Sequence, residues 1–275
     1  MKKKLAIITT TFNHYELTES FVKDLEKQKT QNFIVLNMDC SPEKKKIKYP
    51  QFVKNIPLEN KGYAHNINVG IAQAIAQKLE RFVIINNDVR VEPLFTKTIE
   101  KAFDAHPHSL IGGKVYYEAG YEYHKDRYTK KDLGNVLWYA GGSVDWHHAL
   151  TPHRGVDEVD TGKYNSVEAT GFINGALLLY DRFVHDTVGN WDESYFLYFE
   201  DADFCERAKR KGVPLIYDPS IMMWHKISQS TGGSGSSLHK RYQEMNRIKF
   251  CWKYGPLRTT LHLVKNYCVD QFIKA

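Results

Sequence analysis

Short apolar runs alternate with amphipathic stretches along the N-terminal part of the chain. "LAIITTT", Leu5 to Thr11, reads as a strand; a helical pattern follows in which Leu17, Phe21, Val22 and Leu25 share a face, and then a second apolar run, "FIVLNMD". That order makes a βαβ unit. The text "AHNINVGIAQAIAQKL" predicts a second helix and leads into "RFVIIN", a buried-type strand that stops in the polar triplet Asn86-Asn87-Asp88. After a further helix near Pro93–Ala105, the pattern from about 110 to 162 turns irregular, aromatic and glycine-rich, with "WYAGGSVDW" as strand and turn. Regular text resumes in "GFINGALLLYDR". It continues with a helix over about Ala202–Lys211, a strand "PLIYDP" and another strand closing in "IMMWH". Such alternation predicts an α/β fold on a mostly parallel sheet, whose strand ends are where a ligand crevice lies.

Composition narrows the classes. The chain has 275 residues, 25% charged and 42% hydrophobic, which is ordinary globular usage and enough for one large domain with an appendage. A net charge of +6 favours an anionic partner without choosing among nucleotide, nucleic acid and lipid. The four cysteines, Cys40, Cys205, Cys251 and Cys268, show no C-x-x-C spacing, so neither a zinc site nor a disulfide framework is expected and a reducing cytosol is the simplest setting. The apolar run after "MKKK" is shorter than the roughly 7–15 residues of a signal segment. No stretch approaches the ~18 apolar residues of a spanning helix.

Several residues carry candidate chemistry. Asp88, at a buried strand's end beside two amides, suits a hard divalent cation that keeps waters and bridges phosphates; the plainer reading is a turn or helix cap. Gly62 in "NKGYAHNINVG" precedes a helix whose free N–H groups could receive a phosphate, or it merely turns the chain while Asn60 caps. Glu200, Asp201 and Asp203 follow a wall of aromatic residues in "FLYFEDADFCER". Acids in a first helical turn meet the dipole favourably, yet a carboxylate beside apolar rings also gains proton affinity and becomes a general base near neutral pH. His225, closing "IMMWH", could join Asp88 as a ligand.

The motifs "TTTFNHYE", "NMDCS", "NKGYAHNINVG", "VIINNDV", "GFINGALLLYDR", "VGNWDESYFLYFEDADFCERAKRKG" and "DPSIMMWH" occur in the order found in inverting glycosyltransferases of family 2, which the chain resembles from about Ala6 to His225. Within it the chain looks most like rhamnosyltransferase-type members, which share an aromatic-glycine segment and an Asn-containing basic helix like "RYQEMNRIKF". The resemblance implies a GT-A fold, a Rossmann-like mostly parallel sheet flanked by helices, with a C-terminal helical extension. It also implies a UDP- or dTDP-linked sugar donor, a Mg²⁺ or Mn²⁺ ion, and a glycan or lipid-linked saccharide acceptor in surface polysaccharide synthesis. Thr10, Phe12, Asn13 and Asp39 would line the nucleoside pocket, Asp39 taking a hydrogen bond from the base. Asn60, Lys61, Gly62 and Asn66 would edge it, with Asn86 and Asn87 beside the metal-binding Asp88. Asn86 stands where such enzymes carry an acid, which lowers the site's charge. His225 matches the second metal ligand and Asp201 the catalytic base; Trp191, Glu200 and Asp203 would face the acceptor.

The expected organisation is a catalytic domain over 1–227, with a nucleotide half to about 110 and an acceptor half over 111–227, followed by an extension over 228–275. Within that extension "SQSTGGSGSS" reads as a lid or as a plain loop. The basic text beyond Leu238 reads as a surface for anionic lipid, or equally as a helix packed on the domain or a dimer contact. The expected location is cytoplasmic, at the inner face of the membrane. Among rivals, a sugar nucleotidyltransferase should carry a glycine-rich basic loop where this chain has "TTFNHYE". A carbohydrate-binding module has no need of Asp88, Asp201 and His225. A nucleic-acid binder should show a motif that is not found.

Overall fold

The structure is a computed structural model that describes residues 4–227 and 237–274. Strands β1 (Leu5–Thr11), β2 (Phe33–Asp39), β3 (Val53–Pro57) and β4 (Arg81–Ile85) pair in parallel in the order β3-β2-β1-β4. Beyond β4 the sheet turns mixed. Its remaining strands are β5 (Val89–Arg90), β6 (Leu110–Tyr117), β7 (Leu137–Tyr139), β8 (Glu168–Ala169), β9 (Leu177–Asp181) and β10 (Leu215–His225). The path continues β4-β9-β6-β10-β5, with β7 on β6 and β8 on β10.

Burial on both faces explains why the central strands read as unbroken apolar runs. In β1, Ala6 and Ile8 enter one core while Leu5 and Ile7 enter the other; β4 divides Phe82 and Ile84 from Val83 and Ile85 in the same way. The first core is covered by α2 (Tyr63–Ala76), α4 (Arg182–Val188) and α5 (Glu200–Arg210), the second by α1 (Tyr15–Glu26) and α3 (Phe95–Ala105). Two C-terminal helices follow, α6 (Ser237–Tyr254) and α7 (Leu257–Lys274). Phe250 of α6 is fully buried, stacked on Trp146 at 5.3 Å and tilted against Phe199 at 5.5 Å, so α6 packs on the domain.

Two expectations are corrected. The stretch after 110 opens not irregularly but with β6, all eight of whose residues are buried. Its text "LIGGKVYY" conceals the strand because a glycine pair and a lysine interrupt it. A Cβ on Gly112 would lie 2.7 Å from Ile173 Cγ2, and one on Gly113 2.5 Å from the Ile221 carbonyl oxygen. Both glycines are therefore dictated by close packing. Lys114 is neutralised inside by Asp160 at 2.8 Å. "PLIYDP" and "IMMWH", expected as two strands, are one strand, β10, whose register on β6 shifts between Asp218 and Met222 and so accommodates Pro219. Most of "SQSTGGSGSS", the expected lid, lies outside the described residues.

Candidate active site

The polar triplet leaves β4 where the parallel strands end, and its side chains alternate. Asn86 points into the crevice, where its Oδ1 accepts from the Tyr63 hydroxyl at 3.3 Å and its Nδ2 lies 3.4 Å from His225 Nε2. Asn87 points the other way and donates to Thr18 Oγ1 of α1 at 2.8 Å, so it holds a helix and does not face the expected nucleotide site. Asp88 returns to the crevice. The antiparallel pairing of β5 with the end of β10, His225 opposite Val89, brings His225 Nε2 to 2.9 Å from Asp88 Oδ1.

Both groups are almost fully buried, and His225 Nδ1 has no hydrogen-bond partner. The Trp138 ring lies edge-on to the imidazole at 4.8 Å, a wall supplied by the aromatic middle segment. The 2.9 Å separation matches the about 3 Å expected between two neighbouring ligands of one octahedral cation with bonds near 2.1 Å. Among the described residues no group of three or more His, Cys, Asp or Glu could hold an ion. A cation held by Asp88 and His225 alone would have to draw its remaining ligands from phosphate oxygens and water, as Mg²⁺ does.

Asp201 stands in the first turn of α5. Its Oδ2 accepts from the Gly175 N–H and its Oδ1 from the Ala202 N–H, each at 2.8 Å. The Gly175 carbonyl accepts in turn from the Tyr63 hydroxyl at 3.0 Å. A continuous chain of polar contacts therefore runs Asp88–His225–Asn86–Tyr63–Gly175–Asp201. The structure thus links the Asp88–His225 pair to the candidate base Asp201 through three intervening residues. Burial raises the Asp201 pKa against the pull of the two N–H donors. The turn before it is strained, for Tyr198 and Phe199 both have φ 68°, a conformation that costs ~1–3 kcal/mol for each bulky residue.

Glu200 is 6% exposed, and its Oε2 is buried with no partner. Burial first, and the Asp201 charge second, hold its pKa well above the carboxylate range. A carboxyl that binds its proton more tightly when folded adds stability in full below its unfolded pKa and loses it as pH rises through the folded value. Glu200→Gln cannot ionise. It should match the parent in acid and exceed it by about 1–3 kcal/mol near pH 8, the scale for an unsatisfied buried group. Thermal melts of both proteins across pH check this; equal midpoints at pH 8 refute it.

Where the nucleoside pocket is expected there is a cavity of about 480 Å³ whose lining includes Phe12, Cys40, Ser41, Leu58 and Asn60. Asn13 adopts φ 64° and donates its N–H to Ser41 Oγ at 2.9 Å, and Thr10 Oγ1 is buried without a partner. Asp39 differs from expectation. It is 1% exposed and its carboxylate already accepts from the Tyr15 hydroxyl at 3.0 and 3.2 Å and the Ser41 N–H at 3.1 Å, so it braces the pocket from behind. Lys61 is exposed beside Glu59, and Asn66 is buried under the cavity wall with its Oδ1 unpartnered. At Gly62 the first N–H of the helix is already engaged: the Tyr63 N–H donates to the Phe196 carbonyl at 3.0 Å. Gly62 turns the chain at φ 103°, and a Cβ there would lie 2.6 Å from that carbonyl. Cys40, Ser41 and Lys44 were missed. The first two lie in the motif "NMDCS", and Lys44 has only its place just after β2 as a signal.

On the acceptor side two expectations are corrected. Trp191 is 1% exposed, stacked on Phe204 at 4.9 Å with its N–H donating to the Tyr180 hydroxyl, and is therefore core. Asp203 is fully buried between Arg207 at 2.8 Å, Lys253 at 2.6 Å and the Tyr254 hydroxyl at 2.8 Å, so it ties α6 to α5. His153, also unforeseen, donates its Nδ1–H to the Trp138 carbonyl at 2.9 Å and stacks on Phe172, and burial depresses its pKa to about 4.

No family model matches the chain. The N-acetylglucosaminyl-diphospho-decaprenol L-rhamnosyltransferase of Mycobacterium tuberculosis is 33% identical over 101 residues, covering 35% of this chain and 33% of that relative. The chain thus matches about a third of that relative's length. The dTDP-rhamnosyl transferase RfbF of Shigella flexneri is 22% identical over 250 residues, 89% of this chain and 77% of the relative. Among solved structures, GalNAc-T7 with UDP, GalNAc and Mn²⁺ superposes with a TM-score of 0.66 over 90% of this chain and 47% of that one, at 13% identity. By fold the chain is a GT-A protein, and by sequence it is similar to the rhamnosyltransferases that its motifs resemble.

Proposed function

We propose that the chain is an inverting, cation-dependent glycosyltransferase that moves a sugar, rhamnose from a dTDP-linked donor being the favoured case, to a hydroxyl of a glycan or lipid-linked saccharide. The observation that carries this reading is the chain of contacts joining Asp88 and His225 to Asp201; Asn60, three residues before Tyr63 of that chain, lines the cavity of about 480 Å³. The names of the mycobacterial and Shigella relatives support the sugar and the acceptor class. Asp88 and His225 would hold a Mg²⁺ or Mn²⁺ ion, which when bound neutralises a diphosphate leaving group.

The remaining work falls to the chain. Phe12 and the 40–42 turn enclose the base, and Tyr63 and Asn86 fix the crevice floor between the two carboxylates. Asp201, its proton affinity raised by burial, takes the proton of the acceptor hydroxyl as that oxygen attacks the anomeric carbon opposite the diphosphate, and the configuration inverts. Action at the inner membrane face is part of the proposal. It is supported by Trp252, Leu257 and Leu261, which are more than half exposed on α6 and α7; among the described residues no helix is long and apolar enough to cross a membrane.

The test is a panel of dTDP- and UDP-sugars, each with and without Mn²⁺, read by thermal shift and by slow donor hydrolysis. A metal-dependent stabilisation together with release of nucleoside diphosphate is expected. Neither response to any donor would overturn the reading.

A further inference from the structure

We propose that Asn246, on helix α6, is a positioning residue for the carboxylate of Asp201; the proposal rests on the glycosyltransferase reading of the site. Backbone held in the left-handed region by two successive bulky residues persists only where surrounding contacts over-determine it. Asn246 supplies the polar part. It is 7% exposed, and its Nδ2 donates to the carbonyls of Leu197 at 2.8 Å and of Tyr198 at 3.1 Å, the residues entering the strained turn.

The neighbours of Asn246 act on the same segment. Tyr242, four residues earlier, stacks on Phe196 at 5.1 Å; Phe250, four residues later, packs on Phe199 at 5.5 Å. That spacing sets all three on one face of α6. Lys253 and Tyr254 then hold Asp203, past the candidate base. One helix face thus follows the segment from 196 to 203 in register, while the Tyr63 N–H of α2 donates to the Phe196 carbonyl. Asp201 has the last link of this clamp for its footing. Its own partners, the Gly175 and Ala202 N–H groups, bond to it only while the turn keeps its shape.

The test compares Asn246→Ala and the isosteric Asn246→Asp, which removes both donated protons, with Cys251→Ala as control. Cys251 is fully buried in α6 against Ala149 and Leu263, and its Sγ accepts from the Thr260 hydroxyl of α7 at 3.2 Å. For the Asn246 variants kcat should fall about 10–100-fold, the scale of a misplaced catalytic group, with KM for donor unchanged and the amide protons of Gly175 and Ala202 exchanging faster. The control should keep kcat and those two amides at an equal or larger loss of Tm. Parental kcat and exchange in both Asn246 variants overturn the proposal. So does a control that loses kcat to the same extent. If the parent itself shows no turnover, the glycosyltransferase reading fails and the exchange of the two amides alone decides whether Asn246 fixes the turn.

Discussion

Asp201→Asn lowers turnover by about 10²–10⁴-fold, the usual contribution of a positioned general base, while leaving binding of nucleotide with Mn²⁺ intact. The amide keeps one acceptor for the Gly175 or Ala202 N–H, so the variant still folds. Because burial raises the Asp201 pKa, the base carries its proton below that raised value and loses it above. Parental activity therefore climbs with pH through the acid limb, and the residual activity of Asp201→Asn lacks that limb. Steady-state rates of both proteins across pH measure the two effects together. A variant within a few-fold of the parent, with the same limb, removes Asp201 from the mechanism.

Asp88→Ala abolishes the Mn²⁺-dependent part of donor binding. A ligand at a hundredfold excess over its Kd stabilises by about 2.7 kcal/mol, roughly 5–10 °C in a chain of this size, and the variant should retain none of the increment that Mn²⁺ adds for the parent. His225→Ala should behave alike, because the two groups sit 2.9 Å apart. Thermal melts with nucleotide-sugar, with and without Mn²⁺, check both. Undiminished Mn²⁺ dependence in either variant dissolves the assigned pair.

The sequence was legible where one physical cause dominated. β1, β2, β4 and α2 follow from burial alone, which writes itself as apolar runs of the right length. β3 escaped because an edge strand with exposed Lys54 and Asn55 carries no such signal. β6 escaped because its glycines answer to Ile173 and Ile221, partners more than fifty residues away. The crevice divides in the same way. Motif order singled out Asp88, His225 and Asp201, and the fold gathers them. Which way a side chain faces was not written there: Asn87, Asp39, Trp191 and Asp203 look like their neighbours as letters but turn into the protein, each because a partner from another element waits for it. The role of Asn246 was hidden for the same reason, since nothing adjacent in the chain announces the two carbonyls it serves.

Asp88 and His225 are 137 positions apart, and they meet only when β10 has slotted between β6 and β5. Loop closure over such a span comes late in assembly. A nascent chain still emerging from the ribosome, even with its nucleoside cavity formed, would lack half the ligand pair until the last strand arrives. On the proposed reading of that pair, Mn²⁺ affinity would gauge completed folding, and partly assembled protein would be unable to draw on the cell's supply of activated sugar.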